Sequence, residues 1–289
     1  MRRLIVNADD FGLTLGVNEA AVELNRARAL TSATLMATGG AFDEAVSAAK
    51  RLPFLGVGCH VVLVDGTPIL PADKIPSLID PIDLSAPVAP KAARFRPKLS
   101  SFVADLLRGR IKDSEIETAA IAQIRKLKEA GIAVTHLDTH KHTHMFPRVL
   151  RPLLRAALAC GVKAIRNPFE PDWSLKVTAN AGHVRKMQVR LLRSQRATFM
   201  QEVARAGLAT TDGALGVLAT GTLDAQTIRN LLAAMPDGTW ELVCHPGYND
   251  AALQQERTRL LASREVERTA LLETIPSADL DHIHFGQLS

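Results

Sequence analysis

Short apolar runs alternate along this chain with longer stretches in which apolar residues recur at helical spacing. Residues 3–8 (R-L-I-V-N-A) read as a buried strand, and Asp9-Asp10-Phe11-Gly12 as the turn that follows. Val17, Ala20, Ala21 and Leu24 mark one face of a helix over 17–30. A strand over 33–38, a helix over 42–51 and a strand over 55–63 continue the alternation. The pattern lapses over 67–98 and resumes with a helix over 113–130, for which Ser114 is the expected N-cap and Gly131 the C-cap. After it come a strand over 132–137, a helix over 147–160, a strand over 163–166 and a helix over 180–206. Strands over 214–218, 241–244 and 281–285, with helices over 225–235 and 254–275, complete the reading.

Roughly seven strands, each followed by a helix or a long insertion, predict an α/β protein. The expected architecture is a single-domain, distorted (β/α) TIM-like barrel spanning 1–289, with a doubly wound open sheet as the alternative. Between Pro68 and Pro97 lie seven of the chain's fifteen prolines. That density predicts a long Pro-rich loop insertion over 67–98, placed to act as a lid.

Composition narrows the function classes. A hydrophobic content of 47% supports a sizeable core, and aromatics at 4% leave little for base stacking, so no nucleic-acid partner is expected. The net charge of +5 suggests an anionic surface or substrate. Cys59, Cys160 and Cys244 are far apart with no CxxC spacing, which fits a reducing compartment and argues against thiolate zinc. With no secretion signal and no apolar run near the roughly twenty residues of a membrane span, a cytoplasmic location is expected.

Chemistry concentrates at strand ends, which in a parallel barrel meet at one rim. His136 to His144 reads H-L-D-T-H-K-H-T-H, holding four of the nine histidines together with Asp138. On an extended segment these alternate residues share a face, the arrangement a divalent metal needs. His136, Asp138, His140, His142 and His144 are all candidate ligands on this reading. Asp9 and Asp10, adjacent after a strand, call for a cation beside them: one carboxylate to bind metal, the other to act as a base. His60 in G-V-G-C-H is a candidate ligand, and His245 in C-H-P-G-Y a ligand or a general acid. Arg166, at the end of a strand, could orient Asp9 or bind substrate.

The phrases N-A-D-D-F-G (7–12), G-V-G-C-H (56–60), H-L-D-T-H-K-H-T-H-M (136–145) and C-H-P-G-Y (244–248) together resemble the YdjC-like (ChbG-like) carbohydrate deacetylases over the whole chain. Thr139 and Lys141 depart from the family's usual H-x-D-S-H-H-H-x-H without touching a ligand position. The loop phrases F-R-P-K-L and R-N-P-F-E-P look most like the hopanoid-biosynthesis (HpnK) branch. What the resemblance implies is a metal-dependent hydrolase that removes N-acetyl groups from amino sugars. By position, the resemblance implies Asp10, His60 and His140 as the metal ligands, Asp9 as the catalytic base and His245 as the acid. A metal that takes Asp10 and His60 has room for one residue of the histidine stretch, His140, and Asp138 and His136 are then expected to orient that ligand or pack beside it. Zinc or magnesium is the expected ion, with manganese and cobalt also admitted.

For the substrate, the branch implies an N-acetylglucosaminyl hopanoid lipid. The alternatives are a soluble oligosaccharide such as diacetylchitobiose, or a metal- or sugar-binding protein without catalysis. Residues 183–196 carry five Arg or Lys and no acid, with Val184, Met187 and Leu191 on one helical face. This segment is expected to be a solvated barrel helix or a peripheral contact with the inner membrane face. A homo-oligomer is compatible with the sequence, which carries no signal for it.

Overall fold

A computed structural model describes residues 1–81, 93–178, 189 and 193–288 of the chain. Seven parallel strands form one sheet: β1 (Arg2–Phe11), β2 (Ser32–Leu35), β3 (Gly56–Val61), β4 (Leu137–Thr139), β5 (Gly213–Leu215), β6 (Gly238–Cys244) and β7 (Asp281–His282). The order is β4-β3-β2-β1-β6-β5, and β7 pairs with the first residues of β1, where β2 has not yet begun. Between β4 and β5 the path continues only as isolated bridges, Leu137 to Ile165 and Ala164 to Ala209. This is the irregular side, where the expected strand over 163–166 shrinks to single pairings.

The helices among the described residues are α1 (Leu15–Arg26), α2 (Phe42–Ala49), α3 (Leu99–Leu107), α4 (Asp113–Glu129), α5 (Pro147–Ala159), α6 (Asp172–Val177), α7 (Arg196–Ala206), α8 (Ala225–Ala234) and α9 (Ala262–Thr274). Local chemistry sets their ends. The Thr14 hydroxyl accepts from the Val17 amide at the start of α1, and Asp224 accepts from the Thr227 amide at the start of α8. Pro147 opens α5, where its missing N–H costs nothing. The expected cap at Ser114 is not used: Lys112 precedes α4 without a side-chain bond, and Ser114 lies inside the helix. Gly131 does follow α4 with φ of 85°.

One apolar cluster fills the space between sheet and helices, running from Leu4 and Val6 of β1 to Leu271 of α9. The sheet is strongly curved. In a flat sheet β4 and β6 would stand about 19 Å apart, four strand spacings away. Yet one guanidinium, that of Arg166, reaches Asp138 of β4, Asp9 of β1 and Glu241 of β6. Only a half-barrel curl brings those strands around a single side chain.

Three expectations change. β1 does not stop before the acidic pair but runs to Phe11, and β4 begins at Leu137 rather than at 132. The stretch over 254–275 holds a short 3-10 turn (Leu253–Gln255) before α9 starts at Ala262. The Pro-rich stretch contributes a 3-10 turn (Ala72–Lys74) and an antiparallel bridge from Ile79 to Phe95, while 82–92 lie outside the described residues. The basic segment 183–196 also lies outside them, apart from 189 and 193–196.

Candidate active site

The site grows from the end of β1. Successive strand residues face opposite ways, so Asp9 and Asp10 in a regular strand would diverge. They do not, because the register slips between Ala8 and Phe11, and Asp10 takes φ of 64°. This bulge, an unusual conformation for a non-glycine residue, lets both carboxylates line the same cleft. That cleft has a volume of about 1010 Å³ and is lined also by His60, His140, His142 and His245.

Each carboxylate is paired with an arginine; the sequence reading expected a metal beside them and, of the two arginines, foresaw only Arg166. Arg166 Nη1 donates to Asp9 Oδ2 at 2.9 Å and Nη2 to Oδ1 at 2.6 Å. Arg264, on α9, donates from Nη2 to Asp10 Oδ2 at 2.6 Å. Burial alone would raise both aspartates. The guanidiniums, helped by nearby imidazoles, hold both well below the usual carboxylate range.

The other Asp10 oxygen is free for a metal. Oδ1 lies 3.5 Å from His60 Nε2 and 3.6 Å from His140 Nδ1, and the two nitrogens are 3.3 Å apart. A point equidistant from all three lies about 2 Å from each, the length of a zinc–nitrogen or zinc–oxygen bond. One carboxylate and two imidazoles also form a donor set that a borderline divalent ion accepts, so the residues fit the ion. A second acidic group, Asp9 with His60 and Asp138, does not fit, because Arg166 already supplies the positive charge there.

Asp138 backs this triad. Its Oδ1 is 2.8 Å from His60 Nδ1, which fixes the ring and turns Nε2 toward Asp10. The Thr34 hydroxyl of β2 lies between two carboxylates, 3.1 Å from Asp138 Oδ2 and 3.3 Å from Asp9 Oδ1, and its single proton is shared between them. Burial lowers the His60 pKa, but Asp138, Asp9 and Asp10 outweigh it and push it up to about 9.

His245 follows β6 and presents Nε2 3.8 Å from Asp9 Oδ2. Its backbone amide donates to Glu267 Oε2 at 2.6 Å, and its buried Nδ1, though without a hydrogen bond, lies 4.0 Å from the same oxygen, which favours the ring proton on Nδ1 and leaves Nε2 an acceptor. Burial outweighs Asp9 and Asp10 and brings the ring down to about 4, so it rests neutral. Burial also raises Glu267 to about 7, against the amides of His245 and Gly221.

The histidine stretch separates into distinct places. His140 is half-buried at the cleft and joins the triad. His136 lies at 0% exposure, stacked on Phe285 with centroids 3.8 Å apart, in space that Gly58 leaves open. A Cβ on Gly58 would come within 2.4 Å of that ring. His144 bonds the Thr139 hydroxyl at 2.7 Å and the Arg166 carbonyl at 3.2 Å, tying two strand ends together. Asp138, Arg166 and His136 are all fully buried and none lines the cleft, so direct substrate contact falls to other residues. Lys141 pairs with Asp65 at 2.5 Å on the cleft wall. Sequence reading missed Arg264, Glu241, Glu267 and Thr34, whose signals are single polar residues inside otherwise ordinary helix and strand patterns.

These buried histidines set the acid response. Burial holds His136 and His144 well below their ordinary pKa, His142 at about 3 and His245 at about 4. Between the folded values and 6.5 the unfolded chain binds their protons and the fold does not, so stability falls as pH falls through that window. Glu241 and Glu267, raised to about 7, act oppositely from 4.5 upward, and His60, raised to about 9, does so only near the top of the window, so the four lowered histidines dominate. Each net proton is worth about 1.4 kcal/mol per pH unit. The expected result is a Tm several degrees lower at pH 5 than at pH 6.5, measured by calorimetry at constant ionic strength.

The chain belongs to the YdjC-like protein family, whose model matches residues 3–281. It is 30% identical over 272 residues to a carbohydrate deacetylase of Geobacillus stearothermophilus, covering 94% of this chain and 89% of the relative. It is 39% identical over 155 residues to a carbohydrate deacetylase of Brevibacillus brevis, a match spanning 54% of this chain and about half of the relative, 55%. Among solved structures it superposes on an Enterococcus faecalis V583 protein, described as a candidate cellobiose-phosphate cleavage protein, with a TM-score of 0.75. That match is 23% identical, covers 98% and 97% of the two chains, and speaks for the fold alone.

Proposed function

We propose that this chain hydrolyses the acetamide of an N-acetylated amino sugar in a reaction that depends on a divalent metal. The observation that carries the reading is the free Asp10 Oδ1 set between two imidazole nitrogens, with a second, arginine-held carboxylate alongside. The similarity to carbohydrate deacetylases supports the sugar. The loop phrases over 95–99 and 166–171 point to an N-acetylglucosaminyl hopanoid as substrate, giving the glucosaminyl lipid and acetate. Segment 183–196 is the part of this proposal that would bring the enzyme to an anionic membrane surface.

A divalent cation held by Asp10, His60 and His140 would polarise the acetyl carbonyl and make the attacking water more acidic. Asp9 accepts the water's proton as the new carbon–oxygen bond forms. Because its arginine makes Asp9 so weak a base, the proton does not remain there. His245 is the stronger base, with Nε2 facing Asp9, and it takes the proton on. It then delivers that proton to the amide nitrogen as the carbon–nitrogen bond breaks, so the sugar leaves as an amine and the acyl group as acetate.

Purified protein is expected to release acetate from an N-acetylglucosaminyl lipid, to lose that activity after chelation, and to regain it with zinc, magnesium, manganese or cobalt. Release from diacetylchitobiose but not from the lipid would replace the hopanoid with a soluble oligosaccharide. No acetate from either substrate in metal-replete protein would sink the deacetylase reading.

A further inference from the structure

His142 is the one cleft imidazole to which neither the metal triad nor the proton path assigns a task. Its position is costly. Lys141 and His142 both take left-handed backbone conformations, φ 57° and ψ 25° followed by φ 52° and ψ 34°. Two consecutive non-glycine residues there cost on the order of 1–3 kcal/mol each. The surroundings hold the turn in place. Thr139 and the Arg166 carbonyl pin His144 on one side, and Asp65 pins Lys141 on the other. The turn sets the His142 ring in the wall of the cleft that Asp9, His60 and His245 also line, with the tilted His144 ring 6.3 Å away.

No hydrogen bond within the protein holds this ring among the described residues. Nδ1 is sealed from solvent with no partner, so the imidazole meets the cleft through Nε2. An imidazole ring always carries at least one N–H, and an unpaired buried lone pair is better tolerated than an unpaired buried N–H, so Nε2 bears the proton. The strained turn therefore presents a preoriented donor to the cleft that Asp9 and His245 also line, where a substrate amide would react. That is the geometry of an oxyanion-hole donor.

Resting on the deacetylase reading, we propose that His142 is a further catalytic residue, whose Nε2–H donates to the acetyl oxygen as attack on the carbonyl makes that oxygen anionic. Attack moves the carbonyl π electrons onto oxygen, and collapse returns them as the amine leaves. The hydrogen bond strengthens in the first half of this cycle and relaxes in the second, with no proton transferred from His142.

The test compares His142→Phe and His142→Gln with wild type, using an N-acetylated chitooligosaccharide and a methylphosphonamidate of glucosamine, whose tetrahedral phosphorus imitates the attacked acetyl group. For His142→Phe, kcat should fall about 10²-fold or more while KM stays within a few-fold, the loss expected for one oxyanion donor. The Ki of the phosphonamidate should rise by the same factor, and bound metal per chain should not change. His142→Gln, which keeps a side-chain N–H, should recover at least a tenth of wild-type kcat. A rise in KM at constant kcat, an unaltered Ki, or equal damage from Gln and Phe would each overturn the proposal. Wild-type protein that releases acetate neither from this oligosaccharide nor from an N-acetylglucosaminyl lipid would end the deacetylase reading first. An active wild type with indifferent variants would end only the role of His142.

Discussion

Replacing Asp9 with asparagine is expected to cut acetate release by about 10³-fold or more while the protein still binds its metal stoichiometrically. The asymmetry comes from the bulge in β1, which gives the two adjacent carboxylates different partners. Asp10 Oδ1 faces the imidazoles of His60 and His140, whereas both Asp9 oxygens face Arg166, with Asn7 and Thr34 at Oδ1 and His245 beyond Oδ2. Asparagine cannot take a proton from water, so the step that makes the nucleophile is lost. The fold should survive, because Arg166 retains Asp138 and Glu241. Some stability will go, since an amide NH₂ placed against a guanidinium sets donor against donor. Metal content by mass spectrometry and acetate release on the same sample decide the matter. Loss of metal together with activity would move Asp9 into the ligand set. Full activity would remove it from the reaction.

Much of this site could be read from the chain because parallel strands carry their chemistry at one end. The acidic pair, His60, the histidine stretch and His245 each follow or end an apolar run, and curling the sheet brings them together. The apolar runs themselves gave β2, β3 and β6 to within a few residues. The acidic pair looked like a turn because two charges after six buried residues resemble a strand end. Only the compensating arginines, 157 and 254 positions away, allow β1 to continue through it. Arg264 gave no signal of its own, since one arginine on an amphipathic helix normally faces water. Glu241 and Glu267 were hidden in the same way, one in a strand of apolar neighbours and one on the helix of Arg264. Within H-L-D-T-H-K-H-T-H the strand end expected at 137 fell two residues short of Thr139, and the paired left-handed residues after it were not legible. Nothing in a Lys-His dipeptide favours that conformation. The turn exists because tertiary contacts on both sides impose it.

The largest effect on stability is expected at Arg166, which no cleft-facing argument would select. The side chain is 0% exposed and pairs with three buried carboxylates, Asp9 at 2.6 Å, Asp138 at 2.5 Å and Glu241 at 2.7 Å. Removing one partner of a buried pair costs about 3–5 kcal/mol, mostly through the charge left behind. Here Arg166→Leu would strand three charges in one apolar enclosure, enough to exhaust the margin of a typical domain. The carboxyls can escape only by taking up protons. Glu241, already pushed up to about 7 by burial against the pull of Arg166, would go first. A carboxyl whose folded pKa lies above its unfolded value adds stability at low pH and loses it as pH rises through the folded value. The variant should therefore be least stable at pH 8 and recover toward pH 5.5, opposite in sign to the acid lability set by the buried histidines of the wild type. Arg166→Lys should fall between the two, because a single ammonium cannot span strands β1, β4 and β6 as a planar fork does. Urea unfolding at pH 5.5 and pH 8 separates the outcomes. Equal losses at both pH values would show that Arg166 acts through packing, with the three carboxylates finding other partners.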